Sequence, residues 1–267
     1  MVRHSRIRSG VRHGEGDGVN TSARYVIVSA LEREISGLVK GWEPCSVAGL
    51  KSKCWRHGET VVVALGVGWD KAFGGTKVVI EALRPELVTS VGYSGSLSSE
   101  LAVGSVFIPA QVIGSKNDGA HQTGFGRGTL VTTSGVAGVG AKRELAARYG
   151  ALAVDMEAAA VAEAAQASGV RFAAVKAISD GVNDEMDFVG EFVTPEGFKT
   201  AAFLVHVALR PKLWGALVRL GSNSQKALEA LTVALKEFVA GPEKFLAETA
   251  NQPSLEALPS AAQSARK

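Results

Sequence analysis

The feature that most constrains the fold is residues 153–180, AVDMEAAAVAEAAQASGVRFAAVKAISD. Residues 152–156 and 172–178 are apolar runs of strand length. They bracket a stretch, 157–168, that is almost all alanine and stops before Gly169, a residue type favoured just past a helix end. Alanine lets such a helix approach a sheet closely, so the unit reads strand, helix, strand. The first run ends in Glu157 and the second in Asp180, so two acids are expected at the carboxyl ends of neighbouring strands. In open α/β sheets that is where ligands bind.

The same alternation recurs upstream. YVIVSA at residues 25–30 predicts a first strand, and residues 31–40 a first helix. Residues 61–65 predict a second strand, running through Gly66, Gly68 and Lys71 into a helix that ends at Arg84-Pro85. Residues 87–92 predict a third strand with a loop over 93–97, and residues 114–128 a polar loop around His121, most simply a solvent-exposed histidine. A helix is expected over 141–149. Alternating elements of this kind predict an α/β fold: a single three-layer αβα domain with a central mixed sheet, plus C-terminal helices. The 267 residues, 46% of them hydrophobic, suffice for one such core. We divide the chain into a disordered segment 1–23, a domain 24–193, a helical extension 194–240 and a disordered tail 241–267, the last rich in Ala, Ser, Gln and Pro.

Charge narrows the function classes. The net charge is +3, and Arg3, Arg6, Arg8 and Arg12 supply much of it from the first segment, so a nucleic-acid surface is not implied. That segment lacks the apolar stretch of a signal peptide or membrane span. Cys45 and Cys54 are expected as a reduced pair in a cytoplasmic protein, with a disulfide the alternative. No cluster of metal-ligand residues stands out, and no cofactor is expected.

Two tetrapeptides carry a resemblance. Val154-Asp155-Met156-Glu157 resembles the ribose-binding Met-Glu motif of the purine nucleoside phosphorylase and nucleosidase superfamily. Ala177-Ile178-Ser179-Asp180 resembles its segment carrying the purine-protonating Asp. The likeness extends over residues 25–188 and is strongest to the nucleosidases that cleave methylthioadenosine and S-adenosylhomocysteine. Ala30-Leu31-Glu32-Arg33-Glu34 is similar to their Ala-x-Glu-x-Glu segment, whose last Glu holds the attacking water; on spacing alone Glu34 would read as a solvated helix face. Tyr93-Ser94-Gly95-Ser96-Leu97 is similar to the family's Gly-Ser-Ala-Gly-Gly-Leu loop, with Tyr93 and Ser96 as departures. Where relatives stack adenine on an aromatic ring, this chain has Val136, Ala137 and Val139.

The resemblance implies a division of labour. Asp180 would protonate N7 of the leaving purine, which requires a site that keeps a proton on an acid ordinarily ionised at neutral pH. Glu157 would bind the ribose hydroxyls and stabilise positive charge on the sugar, over Met156 as an apolar floor. The ordinary alternative is a core methionine and a carboxylate suited to a helix N-terminus. Ser179, Tyr93, Ser94 and Gly95 would line the base and ribose, and Glu34 would activate water. Gly66, Gly68 and Lys71 would serve as an anion or nucleophile loop, or else form a tight turn and a solvated lysine. Lys176 stands where relatives have Arg, about 13 Å from Asp180 along one strand face. It would reach the nucleophile's side, but lysine lacks the bidentate fork for phosphate. Water is therefore favoured over phosphate, and a 6-aminopurine over other bases.

Downstream, Asp184, Glu185 and Asp187 are expected to be a solvated acidic loop or a lid. A helix is expected over 198–209 and another over 224–239. Residues 201–221, with His206, Arg210, Lys212 and Arg219, are too polar to span a bilayer. They resemble the tail of hopanoid-associated phosphorylase-like proteins, which implies a peripheral membrane contact and a lipid-linked adenosine as substrate. The alternative is helices that cover the sheet edge or an oligomer interface. Relatives are homo-oligomers in which a neighbour completes the pocket, and a member that has lost catalysis and only binds nucleoside is a third reading.

Overall fold

The computed structural model describes residues 22–186, 190, 192–194, 197, 198 and 214–249. In chain order the elements are β1 (Tyr25–Ser29), α1 (Glu32–Ile35), β2 (Glu43–Cys45), β3 (Cys54–His57), β4 (Thr60–Ala64), α2 (Trp69–Leu83) and β5 (Leu87–Ser96). They continue with β6 (Val106–Phe107), β7 (Gln111–Gly114), β8 (Gly119–Gln122), β9 (Thr129–Thr132), α3 (Val139–Tyr149), β10 (Ala153–Asp155), α4 (Ala158–Ala167) and β11 (Arg171–Asp180). The short strands β12 (Val193–Thr194) and β13 (Gly197–Phe198) precede α5 (Trp214–Ala240) and α6 (Pro242–Thr249).

Strands β1 to β11 form one mixed sheet. Its main path runs β2-β3-β4-β1-β5-β10-β9-β7-β8, with β11 also paired to β5 and β6 to β11. β1 is buried on both faces and alternates between them. Val26 and Val28 pack with α2 and the alanines of α4, whereas Tyr25 and Ile27 pack with Leu231, Leu235 and Phe238 of α5. The mixed sheet between two helical layers agrees with the expected αβα class. α4 begins one residue later than expected, and Gly169 adopts φ +67 just beyond it, the conformation that ends a helix.

Several expected elements differ. Only Glu32–Ile35 of the first expected helix is helical. The chain then turns at Gly37, where a Cβ would collide with the Thr232 side chain of α5, so the backbone must leave the helix to pass that close. β5 does not stop at Gly92: it runs on to Ser96, because β11 pairs with it through Gly95 and β10 through Gly95 and Ser96. The expected loop 93–97 is therefore mostly strand. β10 and β11 are not hydrogen-bonded neighbours. β10 is antiparallel and β11 parallel to the same β5, whose end lies between them. The loop around His121 is the β7–β8 hairpin, with His121 Nδ1 2.6 Å from Gln166 Oε1. β2 and β3 set Cys45 opposite Cys54; both are free thiols, and Cys54 Sγ donates to the Cys45 carbonyl.

At the C-terminal end, Gly197–Phe198 is a strand rather than the start of a helix, and residues 199–209 lie outside the described residues. α5 starts at Trp214, ten residues before the expected helix at 224. Part of the expected disordered tail is helical: Phe245 and Leu246 of α6 are buried beside Phe238, with the rings of Phe238 and Phe245 edge to face at 5.8 Å. Pro242 is buried with them, so three apolar residues anchor a segment whose composition is otherwise largely polar. Among the described residues no helix is long and apolar enough to cross a membrane.

Candidate active site

The ends of β1, β4, β5, β10 and β11 bring the candidate residues together. Glu34, in the single turn of α1 just after β1, is buried rather than solvated. Its Oε2 accepts from Ser29 Oγ at 2.7 Å and from the Leu31 N–H at 3.0 Å, and its Oε1 accepts from the Tyr93 N–H at 3.2 Å. The carboxylate lies against β5 where Gly92 has φ +143; a Cβ there would be 3.0 Å from both carboxylate oxygens. Only glycine tolerates both that φ and that contact. The Tyr93 phenol is pushed up from its ordinary value by burial and then by the Glu34 charge, and the Arg33 guanidinium sits 5.7 Å from its ring centre.

Glu157 lies across a crevice from Ser29, lined also by Gly66 and Ser90. Its Oε1 accepts from the Gly68 N–H at 2.9 Å, so the glycine turn after β4 is anchored on the acid that begins α4. Burial first, then the Asp155 charge and less strongly Glu34, push the Glu157 carboxyl up to about 8. Lys176 and the Gly68 N–H pull the other way. The residue as a whole keeps some exposure, but its carboxyl faces inward, and the enclosed group governs its protonation. Met156 is partly exposed between the two acids. Lys71 is exposed, with its chain laid over Gly66.

Lys176 is only 1% exposed and has two partners: its Nζ is 2.8 Å from Asp155 Oδ2 and donates to Ser90 Oγ at 3.0 Å. It forms an ion pair with Asp155 and, through Ser90, borders the crevice that Glu157 lines. That carboxylate also accepts from Thr132 Oγ1 at 2.6 Å and from the Ala158 N–H at 2.9 Å, where it caps α4. Asp155 thus fixes the helix start from which Glu157 projects. It lies inside the tetrapeptide that drew attention to Glu157, but nothing in the sequence set it apart.

Asp180 ends β11 beside Gly95, where a Cβ would approach its Oδ2 to 2.7 Å. Its Oδ1 accepts from Ser179 Oγ at 2.8 Å. Its Oδ2 is in contact with the ammonium of Lys142, which also donates to the Gly181 carbonyl at 2.6 Å. Lys142 has no exposed surface and was not anticipated. Its signal is the helical stripe Lys142, Leu145, Ala146, Tyr149, spaced i, i+3, i+4, i+7: a lysine heads the packed face of α3. Ser94 Oγ, on the neighbouring stretch of β5, is buried with no hydrogen-bond partner among the described residues. In the acidic loop, Asp184 accepts from the Gly181 N–H at 2.8 Å and from Asn223 of α5 at 3.4 Å, whereas Asp187 lies outside the described residues. Among the described residues no three His, Cys, Asp or Glu side chains are grouped to hold a metal ion.

Glu157 borders the crevice, the Glu34 charge is near enough to act on it, and a third acid, Asp180, ends β11 beside Gly95 of β5. Such a layout can activate water at one end, balance positive charge in the middle and serve a leaving group at the other. Known proteins resemble this chain accordingly. The family model described as Phosphorylase superfamily matches residues 120–208. The 5′-methylthioadenosine/S-adenosylhomocysteine nucleosidase of Shewanella sediminis is 24% identical over 224 residues, covering 67% of this chain and 96% of that protein. The nucleosidase of the same name from Staphylococcus aureus strain RF122 is 26% identical over 203 residues, covering 60% of this chain and 88% of that one. Among solved structures, Helicobacter pylori futalosine hydrolase superposes with TM-score 0.62 at 16% identity, over 82% of this chain and 97% of its own. The methylthioadenosine/S-adenosylhomocysteine nucleosidase of that organism, complexed with a pyrrolopyrimidine compound, gives TM-score 0.62 at 16% identity, over 82% and 98%. These structural likenesses are likenesses of fold.

Proposed function

We propose that this protein hydrolyses the N-glycosidic bond of an adenine nucleoside of the methylthioadenosine/S-adenosylhomocysteine type. The observation that carries the reading is the buried Glu34 carboxylate, held by Ser29, Leu31 and Tyr93 and close enough to the Glu157 carboxyl to raise its pKa. In this reading Glu34 takes a proton from the attacking water. Glu157 and Met156 hold the ribose, Glu157 through the sugar hydroxyls and Met156 as an apolar floor. Ser94, Gly95, Ser179 and Tyr93 contact base and sugar, and Asp180 serves the leaving purine. Curated relatives named as nucleosidases, matched over most of their length, support it.

Water is the nucleophile in this reading because the cation best placed to grip phosphate, Lys176, is occupied by Asp155 and Ser90. The remaining candidate, Lys71, is an exposed side chain on the glycine turn. The test is adenine release from methylthioadenosine, S-adenosylhomocysteine and adenosine, with and without phosphate. We expect release without phosphate, and a fall in kcat of about 10²–10⁴-fold in Asp180→Asn, the usual span for loss of an acid group. Release that requires phosphate would make the enzyme a phosphorylase and return Lys71 to the anion. Futalosine belongs in the same panel, because a hydrolase of that compound has the same fold.

A further inference from the structure

Resting on the function just proposed, we infer that Lys142 is a positioning residue that supplies, through Asp180, the proton taken up by the leaving purine. Both Asp180 oxygens are already hydrogen-bond acceptors, Oδ1 from Ser179 Oγ and Oδ2 from the Lys142 ammonium. A carboxylate so placed has no proton of its own to give, and an ionised carboxylate is an acceptor only. The group in direct contact with Oδ2 is a cation that carries one. Lys142 is 0% exposed and Asp180 7%, so Lys142 exchanges protons through Asp180 rather than directly with solvent.

The transfer balances. An N–H bond of Lys142 breaks as an O–H bond forms on Asp180; that O–H breaks as N7–H forms. The electron pair of the C1′–N9 bond passes into the purine, and Lys142 is left as a neutral amine. Water bonds to C1′ and its proton passes to Glu34, from which solvent returns one proton to Lys142 after product leaves. The Gly181 carbonyl also accepts from the ammonium, at 2.6 Å, and fixes its position. Gly95 allows Oδ2 to press against β5, since a Cβ there would intrude to 2.7 Å. The other charged groups facing the pair, among the described residues, are Asp184 and Glu185 from the loop after β11 and Arg219 from α5. Asp184 is tied to the Gly181 N–H and Asn223.

Lys142→Met and Lys142→Arg separate a proton source from a mere countercharge. Their kcat and KM for adenine release are measured as ratios to wild type at each pH, which removes the titration of Glu157 common to all three. In Lys142→Met we expect kcat near neutrality to fall about a hundredfold or more with little change in KM, and to recover as pH is lowered, because solvent then supplies the proton that the relay lacks. Lys142→Arg keeps the charge but does not release a proton, so it should be equally slow and show no recovery in acid. A Lys142→Met profile parallel to wild type, or Lys142→Arg at wild-type kcat, overturns the inference. So does folded Lys142→Met that binds nucleoside yet stays inactive at every pH. If Lys142→Met does not fold, Lys142→Arg decides alone. Absence of base release by wild type itself would instead overturn the proposed hydrolase activity, and this inference with it.

Discussion

Glu157 is the residue whose environment leaves the clearest mark on the protein's response to pH. Its carboxyl sits at about 8 in the folded chain against an ordinary 4.5, so the folded state holds a proton that the unfolded chain has given up. The associated stabilisation is complete below about 4.5 and is lost as pH rises through about 8. Glu157→Gln mimics the protonated form and should flatten the decline in Tm over that window, read by thermal unfolding at a series of pH values. Gly92→Ala should be costly in a different way, since φ +143 and a 3.0 Å approach to the Glu34 oxygens leave a methyl nowhere to go. We expect adenine release to fall at least tenfold while far-UV circular dichroism stays native. The placement of Glu34, Glu157 and Asp180 at strand ends was legible in the sequence because each sits in a short motif. Asp155 and Lys142 were harder, because their roles depend on partners across the fold: Asp155 meets Lys176 from β11, and Lys142 meets an acid 38 positions away.

At the scale of elements, α5 decides how the C-terminal region must be understood. Ala227, Leu231, Ala234, Leu235 and Phe238 form its buried face and cover the sheet side that carries Ile27, Val62, Val91 and Val175. Leu231→Ala should cost about 2–5 kcal/mol in denaturant unfolding, the range for such core truncations, and a chain ending at residue 213 should not fold. Removing this region is therefore no clean test of a surface role. The turns of α5 before Ala227 have no buried side chain among those described, and Val218 is 72% exposed. Strong periodicity made β1, β4, α2, α4 and β11 legible to within a few residues. The β2–β3 pair was not, because Glu43 and Pro44 are exposed and only Cys54 is buried, which leaves little hydrophobic pattern to read. The extension of β5 was equally hidden, since Tyr93-Ser94-Gly95-Ser96 looks like a turn until β10 and β11 supply its hydrogen bonds.

Across the whole molecule, the proposed reaction needs a nucleophile end and a leaving-group end held at a constant separation. A homo-oligomer in which a second copy completes the pocket accompanies this proposal. Sedimentation velocity is expected to show a species larger than the 27.7 kDa chain, and a monomer active at full rate would sink that part of it. The separation itself comes from β5. The Tyr93 N–H holds Glu34, and two residues along, Gly95 lies against Asp180. At about 3.3 Å per residue that is a span of roughly 7 Å set by main-chain geometry. The strand acts as a ruler graduated in peptide units. Side-chain substitutions can change what stands at either mark, but not the distance between the marks. If the proposed reaction holds, adapting this scaffold to a longer or shorter leaving group would take an insertion or a bulge in β5 rather than a new side chain.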